Sequence, residues 1–194
     1  MSIPNNSDQL RALFSQMTKI PDQEWLIIKD LFKLTHFKKG EIIEESGIIS
    51  THIGLIEKGL IRGYYTLLNG SEKAKNFRYE GNFFANYNSL LTKEPSLITI
   101  QALEDCTVWL AHFDSLHHKI KNSLFWQTFL RRANEREFLI KERREYELLT
   151  LNAKERYLSF LRSSPQIHER LSQYHIANYL GIDRSSFNRL IKSL

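Results

Sequence analysis

Five polar side chains near the C-terminus have the types and spacing to do chemistry. In LSQYHIANYLGIDRSSFNRLIKSL, residues 171–194, Ser185, Asn188, Arg189 and Lys192 fall at i, i+3, i+4 and i+7, and Arg184 precedes them. That spacing is one face of a helix, and none of the five is apolar. Such a face can hydrogen-bond to nucleic acid: an arginine fork fits guanine O6 and N7, an asparagine amide fits adenine, and basic or hydroxyl groups hold phosphates. No comparable constellation exists for catalysis. The sequence contains no nucleophile–base set and no phosphate-cradling glycine loop, so an enzyme is not expected. The single cysteine, Cys106, sits among apolar residues and reads as a small core side chain; one thiol cannot form a disulfide framework or a cysteine-ligated cluster within the chain. Of the seven histidines, His117 and His118 are adjacent and would point different ways on a helix. His52 and His112 lack the H-x-H…E…H pattern of metal-binding β-rolls, so neither a metal nor a cofactor is expected.

The elements that must carry the polar face are two short helices hinged at one glycine. Ser172 can cap the first, whose stripe is Ile176, Ala177, Tyr179 and Leu180, and Gly181 suits the left-handed residue that ends it. Asp183 can cap the second, and Phe187, Leu190, Ile191 and Leu194 must face inward. This spacing matches a helix-turn-helix. Ala177 is the small residue at the crossing and Gly181 follows four residues later in the turn. Ile176, Leu180, Ile182, Phe187 and Leu190 fill the apolar positions. An ordinary helical hairpin would satisfy the apolar spacing, but it does not account for the polar outward face.

Length and composition allow one or two domains with a proper core: 194 residues, 42% hydrophobic and 25% charged. No apolar run is long enough to span a bilayer, and MSIPNNSDQL lacks the pattern of a secretory signal; the expectation is a cytoplasmic protein with no membrane partner. The net charge is +5, but it is uneven. Residues 1–118 carry 12 Lys/Arg against 14 Asp/Glu, residues 119–150 carry 8 against 5, and residues 151–194 carry 7 against 3. The positive excess thus lies in the segment that holds the helix pair, where phosphates would be met.

Along the chain, residues 1 to about 35 read as helical. Leu10, Leu13, Phe14 and Met17 form one stripe, and Pro21 opens a second helix with Trp25, Leu26, Ile28, Lys29 and Phe32. From Phe37 to Phe113 the pattern changes to short β-branched and aromatic runs, with seven of the eight glycines between Gly40 and Gly81; a small β-roll follows. Asn69-Gly70 marks a hairpin. From Ser115 to Thr150 the reading is unbroken helix, free of Gly and Pro, with more than one apolar stripe. One stripe is to be covered by the β-roll and a second by the same helix of another protomer, although Arg and Glu interrupt every candidate seam. The alternative is a lone helix lying across its own domain. Leu151, Ala153, Tyr157, Leu158, Phe160 and Leu161 then form an amphipathic helix that breaks at Ser163-Ser164-Pro165 and leads into the helix pair. The fold class expected is α+β. Residues 1–118 form a jelly-roll-like sensor domain with N-terminal helices, 119–150 the long helix, and 151–194 the helix-turn-helix domain.

In this order the phrases FKKGEIIEESG, HIGLIEKGLIRGYY, AKERYLSFLRSSP and IANYLGIDRSSFNRLIKSL resemble the cyclic-AMP receptor protein/Fnr (Crp/Fnr) superfamily of transcription regulators, in its short C-terminal form. The resemblance implies a cyclic-nucleotide-binding-like β-roll, a homodimer, double-stranded DNA and RNA polymerase as partners, and an effector pocket for an unidentified small molecule. It places the family's two recognition-helix arginines on Arg184 and Arg189, and Ser185 where a glutamate is common. For the pocket it departs from the cyclic-nucleotide binders. Gly81 is present, but the ribose-binding glutamate falls on Asn82 and the phosphate-binding arginine around Pro95 and Ser96. No arginine occurs from Tyr79 to Leu130. Lys93 supplies charge without the planar fork, so cyclic AMP is not the expected effector. Asn82, Phe83, Phe84, Tyr87, Asn88 and Ser96 either line a different pocket or fill the core. Rival readings are a sensor module acting through protein partners and a cupin-type enzyme, the latter disfavoured by the missing metal ligands.

Overall fold

The computed structural model describes residues 6–193; the first five residues and Leu194, an expected inward position of the last helix, lie outside it. The chain is a mixed α/β fold that divides into two compact units. The first runs up to Gly63 and resumes at Phe77–Leu130, and the second joins Tyr64–Asn76 to the segment from Arg131 onward. No helix among the described residues is long and apolar enough to cross a membrane.

In the first unit, α1 (Asn6–Ser15) and α2 (Asp22–Ile28) bury Leu10, Leu13, Phe14, Trp25 and Ile28. Pro21, expected inside α2, is instead its extended N-cap at φ −60°, with Asp22 and Glu24 complementing the first turn. The helical reading to residue 35 fails at Lys29. β1 (Phe32–Phe37) pairs antiparallel with β8 (Cys106–His112), from Phe32 opposite Ala111 to Phe37 opposite Cys106. Phe32 lies four residues after Ile28 and so fits a helical stripe, but six ladder positions on β8 satisfy the backbone as a strand instead. Between these strands come β2 (Ile42–Glu44), β3 (His52–Lys58), β4 (Ile61–Thr66), β5 (Glu72–Arg78), β6 (Phe83–Phe84), α3 (Tyr87–Thr92) and β7 (Thr99–Ala102). They complete two four-stranded sheets of order β1-β8-β3-β6 and β2-β7-β4-β5.

Strand alternation gives the first sheet two buried faces. Phe32, Leu34, Ile53, Leu55, Phe83, Trp109 and Ala111 meet the helices on one side. Phe37, Ile56, Phe84, Cys106, Val108 and Leu110 meet Ile61, Ile100 and Ala102 of the second sheet, and Ile98 just before it, on the other. Phe14 anchors the helical side, edge-on to Trp25, Phe32, Phe83 and Trp126 at centroid distances of 5.6–6.3 Å. Cys106 is a buried free thiol, as its apolar setting predicted, and burial pushes its pKa up.

The expected unbroken helix from Ser115 is two helices, α4 (Phe113–Ile120) and α5 (Leu124–Thr150). The break falls at Lys121–Ser123, where the Ser123 hydroxyl accepts from the Trp126 amide at 3.3 Å and so starts a new helix. The first residues of α5, with Trp126 buried and Phe125, Phe129 and Leu130 partly so, belong to the helical-side core of the first unit.

In the second unit, α6 (Ala153–Ser163) opens with a full capping box between Asn152 and Glu155. Then follow α7 (Pro165–His168), α8 (Gln173–Leu180) and α9 (Arg184–Lys192). Tyr157, Phe160, Ile167, Leu171, Ile176, Ala177, Leu180, Ile182 and Phe187 are buried, and Phe187 meets Tyr157 edge-on at 5.2 Å. The hairpin at Asn69-Gly70 is present: Gly70 sits at φ +77° and the Asn69 side chain accepts from the Ser71 amide at 3.0 Å.

Candidate functional site

The geometry of α8 and α9 follows from local chemistry. The Ser172 hydroxyl accepts from the His175 amide at 3.3 Å and caps α8. Gly181, at φ 66° and ψ 33°, ends it, and the Ile182 amide closes back on the Ala177 carbonyl at 3.0 Å. Two residues later Asp183 accepts from the Ser186 amide at 2.9 Å and starts α9. Hydrogen bonds from Ser186 and Ser185 hold the Asp183 carboxyl well below the usual carboxylate range, so it is an anion at the positive end of the helix. Phe187 is fully buried and Leu190 and Ile191 are half-buried, which fixes the roll of α9 about its axis.

Arg184, Ser185, Asn188, Arg189 and Lys192 are consequently all exposed, on one side of α9. Ser185 donates to Asp183 at 2.7 Å, leaving its oxygen lone pairs outward. Arg189 folds back to donate to the Ser186 hydroxyl at 3.1 Å, which holds its guanidinium near the helix surface. α9 itself contains no acidic residue, and the surface it offers is two guanidinium forks, an amide, a hydroxyl and an ammonium, with the Asp183 carboxylate at its start.

Two residues outside the predicted set secure the helix pair. Within the second unit, the Asn178 side chain on α8 accepts from the Ala74 amide at 2.5 Å and donates to the Glu72 carbonyl at 2.7 Å. The Arg144 guanidinium on α5 donates to the Ala74 carbonyl at 3.2 Å and the Tyr179 carbonyl at 2.8 Å, and lies 3.7 Å from the Tyr179 ring centroid. β5 is the outer strand of its sheet, and the C=O of Glu72 and both backbone groups of Ala74 point to the same side. The side chains thus satisfy an open strand edge. Arg156 joins the pair by donating to the carbonyls of Leu180 at 2.9 Å and Leu151 at 2.6 Å. Nothing in the sequence singles out Asn178 or Arg144, because the strand edge they serve lies some seventy or more residues away.

The six residues of the expected effector pocket do not converge. Phe83 and Phe84 point to opposite faces of the sheet, Phe83 toward Phe14 and Phe84 into the space between the sheets. The Phe84 ring lies so close over Gly54 that a Cβ there would sit 2.2 Å from it. The Asn82 carbonyl accepts from the Ile56 amide at 3.0 Å, Asn88 is exposed, and Tyr87 packs edge-on to Phe113 at 6.0 Å. Ser96 is buried and spends its hydroxyl on the Ile98 backbone at 3.0 Å. A polar cluster that sequence reasoning missed lies nearby. Glu44 Oε1, Ser50 Oγ and Asn86 Oδ1 are buried without a hydrogen-bond partner among the described residues. Asn86 Nδ2 donates to the Ile98 carbonyl at 3.0 Å, which fixes the amide so that its oxygen is the unmatched atom. Burial pushes the Glu44 carboxyl up, and the neighbouring Ser50 and Asn86 only partly offset this. Arg62, buried in the same unit, gives Nε and Nη2 to the Gln101 oxygen at 2.8 and 2.6 Å. Among the described residues, no group of three or more His, Cys, Asp or Glu is arranged to hold a metal ion.

Comparison with known proteins agrees with this architecture. Residues 34–123 match the cyclic nucleotide-binding domain family. A protein assigned as a transcriptional regulator of the Crp/Fnr family from Eubacterium rectale superposes with a TM-score of 0.73 at 20% identity, over 94% of this chain and 87% of that one. FixK2 from Bradyrhizobium japonicum superposes with a TM-score of 0.71 at 22% identity, over 84% of each chain. A CooA mutant from Carboxydothermus hydrogenoformans gives 0.73 at 15% identity, over 100% of this chain and 85% of that one. No curated protein matches the chain in sequence. Residues 34–123 thus match the cyclic nucleotide-binding domain family, in a chain that shares its fold with the Crp/Fnr-family protein from Eubacterium rectale, FixK2 and CooA.

Proposed function

We propose that this chain is a homodimeric transcription regulator of the Crp/Fnr type, binding palindromic DNA through α8 and α9 as a helix-turn-helix. The observation that carries the reading is the surface of α9: Arg184, Ser185, Asn188, Arg189 and Lys192 exposed together on a helix whose roll is fixed by buried Phe187 and whose start is fixed by Asp183. In this reading α9 enters the major groove, and Arg189, about a turn and a half in, reads guanine O6 and N7. Arg184, at the helix start, holds a phosphate. The division at residues 118 and 150, RNA polymerase as a partner and action in the cytoplasm belong to the same reading.

Dimerisation is supported by α5. Phe138, Leu139, Tyr146 and Leu149 are 61%, 66%, 60% and 78% exposed. At 100° per residue they fall within an arc of about 100°, which also takes in Glu135 and Glu142. That arc is the seam the sequence could not choose, and Phe129 is excluded from it by its place in the core. Two copies of α9 then lie about 34 Å apart on the operator. The β-roll acts as effector or dimerisation module and does not respond to cyclic AMP: the phosphate-binding arginine's position falls around Pro95 and Ser96, and Phe84 occupies the space between the sheets.

Selecting bound duplexes from a random DNA pool tests the reading. On the selected site, Arg189→Ala should lose roughly 1–3 kcal/mol and relax preference at one base pair per half-site, whereas Arg184→Ala should weaken all duplexes alike and lower the salt slope by about one. If no sequence is enriched and both variants bind every duplex as wild type does, the chain is instead a sensor module acting through protein partners.

A further inference from the structure

His52 on β3 and His112 on β8 stand directly opposite each other in the antiparallel ladder. The Phe113 amide donates to the Thr51 carbonyl at 2.9 Å, one residue outside the pair on each strand. That makes His52 and His112 a non-hydrogen-bonded pair, the arrangement that brings facing side chains closest. Their ring centroids are 5.5 Å apart at an interplanar angle of 78°. Two imidazoles bound to one tetrahedral ion at a metal–nitrogen distance of about 2.0–2.1 Å place their centroids roughly 5 Å apart. Both rings are exposed, so an ion can reach them without opening the fold.

We propose that His52 and His112 form a two-imidazole site for a late first-row divalent cation, Cu²⁺, Ni²⁺ or Zn²⁺, with its remaining positions open to water or a small ligand. Neutral imidazole suits these ions and not Mg²⁺ or Ca²⁺, which take oxygen ligands. The Thr51 hydroxyl lies 2.8 Å from His52 Nδ1. With Nδ1–H donated to that oxygen, the His52 lone pair sits on Nε2, where a metal would take it. On the other side Asp114 pairs with Lys93 at 2.7 Å, which keeps a carboxylate near His112 while occupying it. The site staples β3 to β8 just before α4, within the first unit.

The full chain, titrated with each chloride salt at pH 7.5 and followed by isothermal calorimetry, should take up one strong equivalent of Cu²⁺, a weaker one of Ni²⁺ and Zn²⁺, and no Mg²⁺. Ring-nitrogen resonances of His52 and His112 should move with Zn²⁺ ahead of those of His36, His117, His118, His168 and His175. His52→Gln and His112→Gln, both at exposed positions, should each lower affinity at least tenfold while the metal-free melting temperature and DNA affinity stay unchanged. Uptake that survives both substitutions, or Zn²⁺ shifts confined to other histidines, overturns the proposal. A variant that melts early is replaced by His112→Asn and judged on the His52 resonance alone, which must then stay unshifted by Zn²⁺ if the proposal is right.

Discussion

Replacing Asn178 by alanine deletes both hydrogen bonds that tie α8 to the edge of β5. The amide orientation is forced by chemistry, because the Ala74 N–H needs an acceptor and the Glu72 carbonyl needs a donor. Each such bond contributes roughly 0.5–1.5 kcal/mol net, so the pair is worth about 1–3 kcal/mol. Ala74 is only 6% exposed, so its amide cannot turn to bulk water without local movement, and the upper half of that range is expected. Arg144 retains its bond to the Ala74 carbonyl, so the hairpin stays near α5 while the latch to α8 is lost. Since about 1.4 kcal/mol is a factor of ten in an equilibrium, the Ala74 amide should exchange with deuterium roughly 10–100-fold faster in Asn178→Ala than in wild type. Asn178→Asp keeps the acceptor but sets a carboxylate against the Glu72 carbonyl. It should be at least as destabilising as alanine at pH 7 and should recover as the new carboxyl is protonated. The readout is residue-resolved hydrogen exchange, with the Leu55 ladder amide as an internal reference. Unchanged protection of Ala74 in Asn178→Ala would refute the reasoning, because the side chain would then not be what closes that strand edge.

Four further outcomes follow from the same structure. Leu139→Lys with Leu149→Lys should convert a dimer into a monomer by sedimentation at micromolar concentration without loss of helicity, and a dimer that persists places the seam elsewhere on α5. Gly54→Ala should cost roughly 1–3 kcal/mol in urea unfolding, since its Cβ meets the Phe84 ring at 2.2 Å and the packed space between the sheets must give. Glu44→Gln should raise stability at pH 7–8 and lose that advantage toward pH 4. The Glu44 pKa is raised from 4.5 in the folded state, so the stability its neutral form confers is present below about 4.5 and is lost as pH rises through the folded-state value. A melting-temperature difference that does not depend on pH contradicts this. Asp183→Ala should fray the start of α9 and, on the proposed reading, lower DNA affinity on every sequence alike, as binding curves on matched and mismatched duplexes would show.

The sequence alone determined much of what depends on neighbours a few residues apart, although the local break at Lys121–Ser123 escaped it. Ser172, Gly181 and Asp183 cap α8 and α9 where their types require, Asn69-Gly70 turns the hairpin, and Phe187 and its helical repeats leave Arg184, Ser185, Asn188, Arg189 and Lys192 outside. The glycine-punctuated run marked the β-roll for the same reason. Tertiary structure decided what depends on register between distant segments. Phe32 fits a helix after Ile28 equally well, and only pairing with β8 makes it a strand. Phe129 and Leu139 both look like seam residues until Phe14, Phe83 and Trp126 claim the first. Phe83 and Phe84 are adjacent in sequence, yet the pleat sends them to opposite faces. Asn178 and Arg144 acquire a role only because β5 is an edge strand, and His52 meets His112 only because the β3–β8 register runs unshifted from that pair to Ile56, before the irregularity between Ile56 and Lys58. A side-chain period is written into the chain locally, but which strand lies opposite, and in which register, is fixed by burying both faces of a sheet at once.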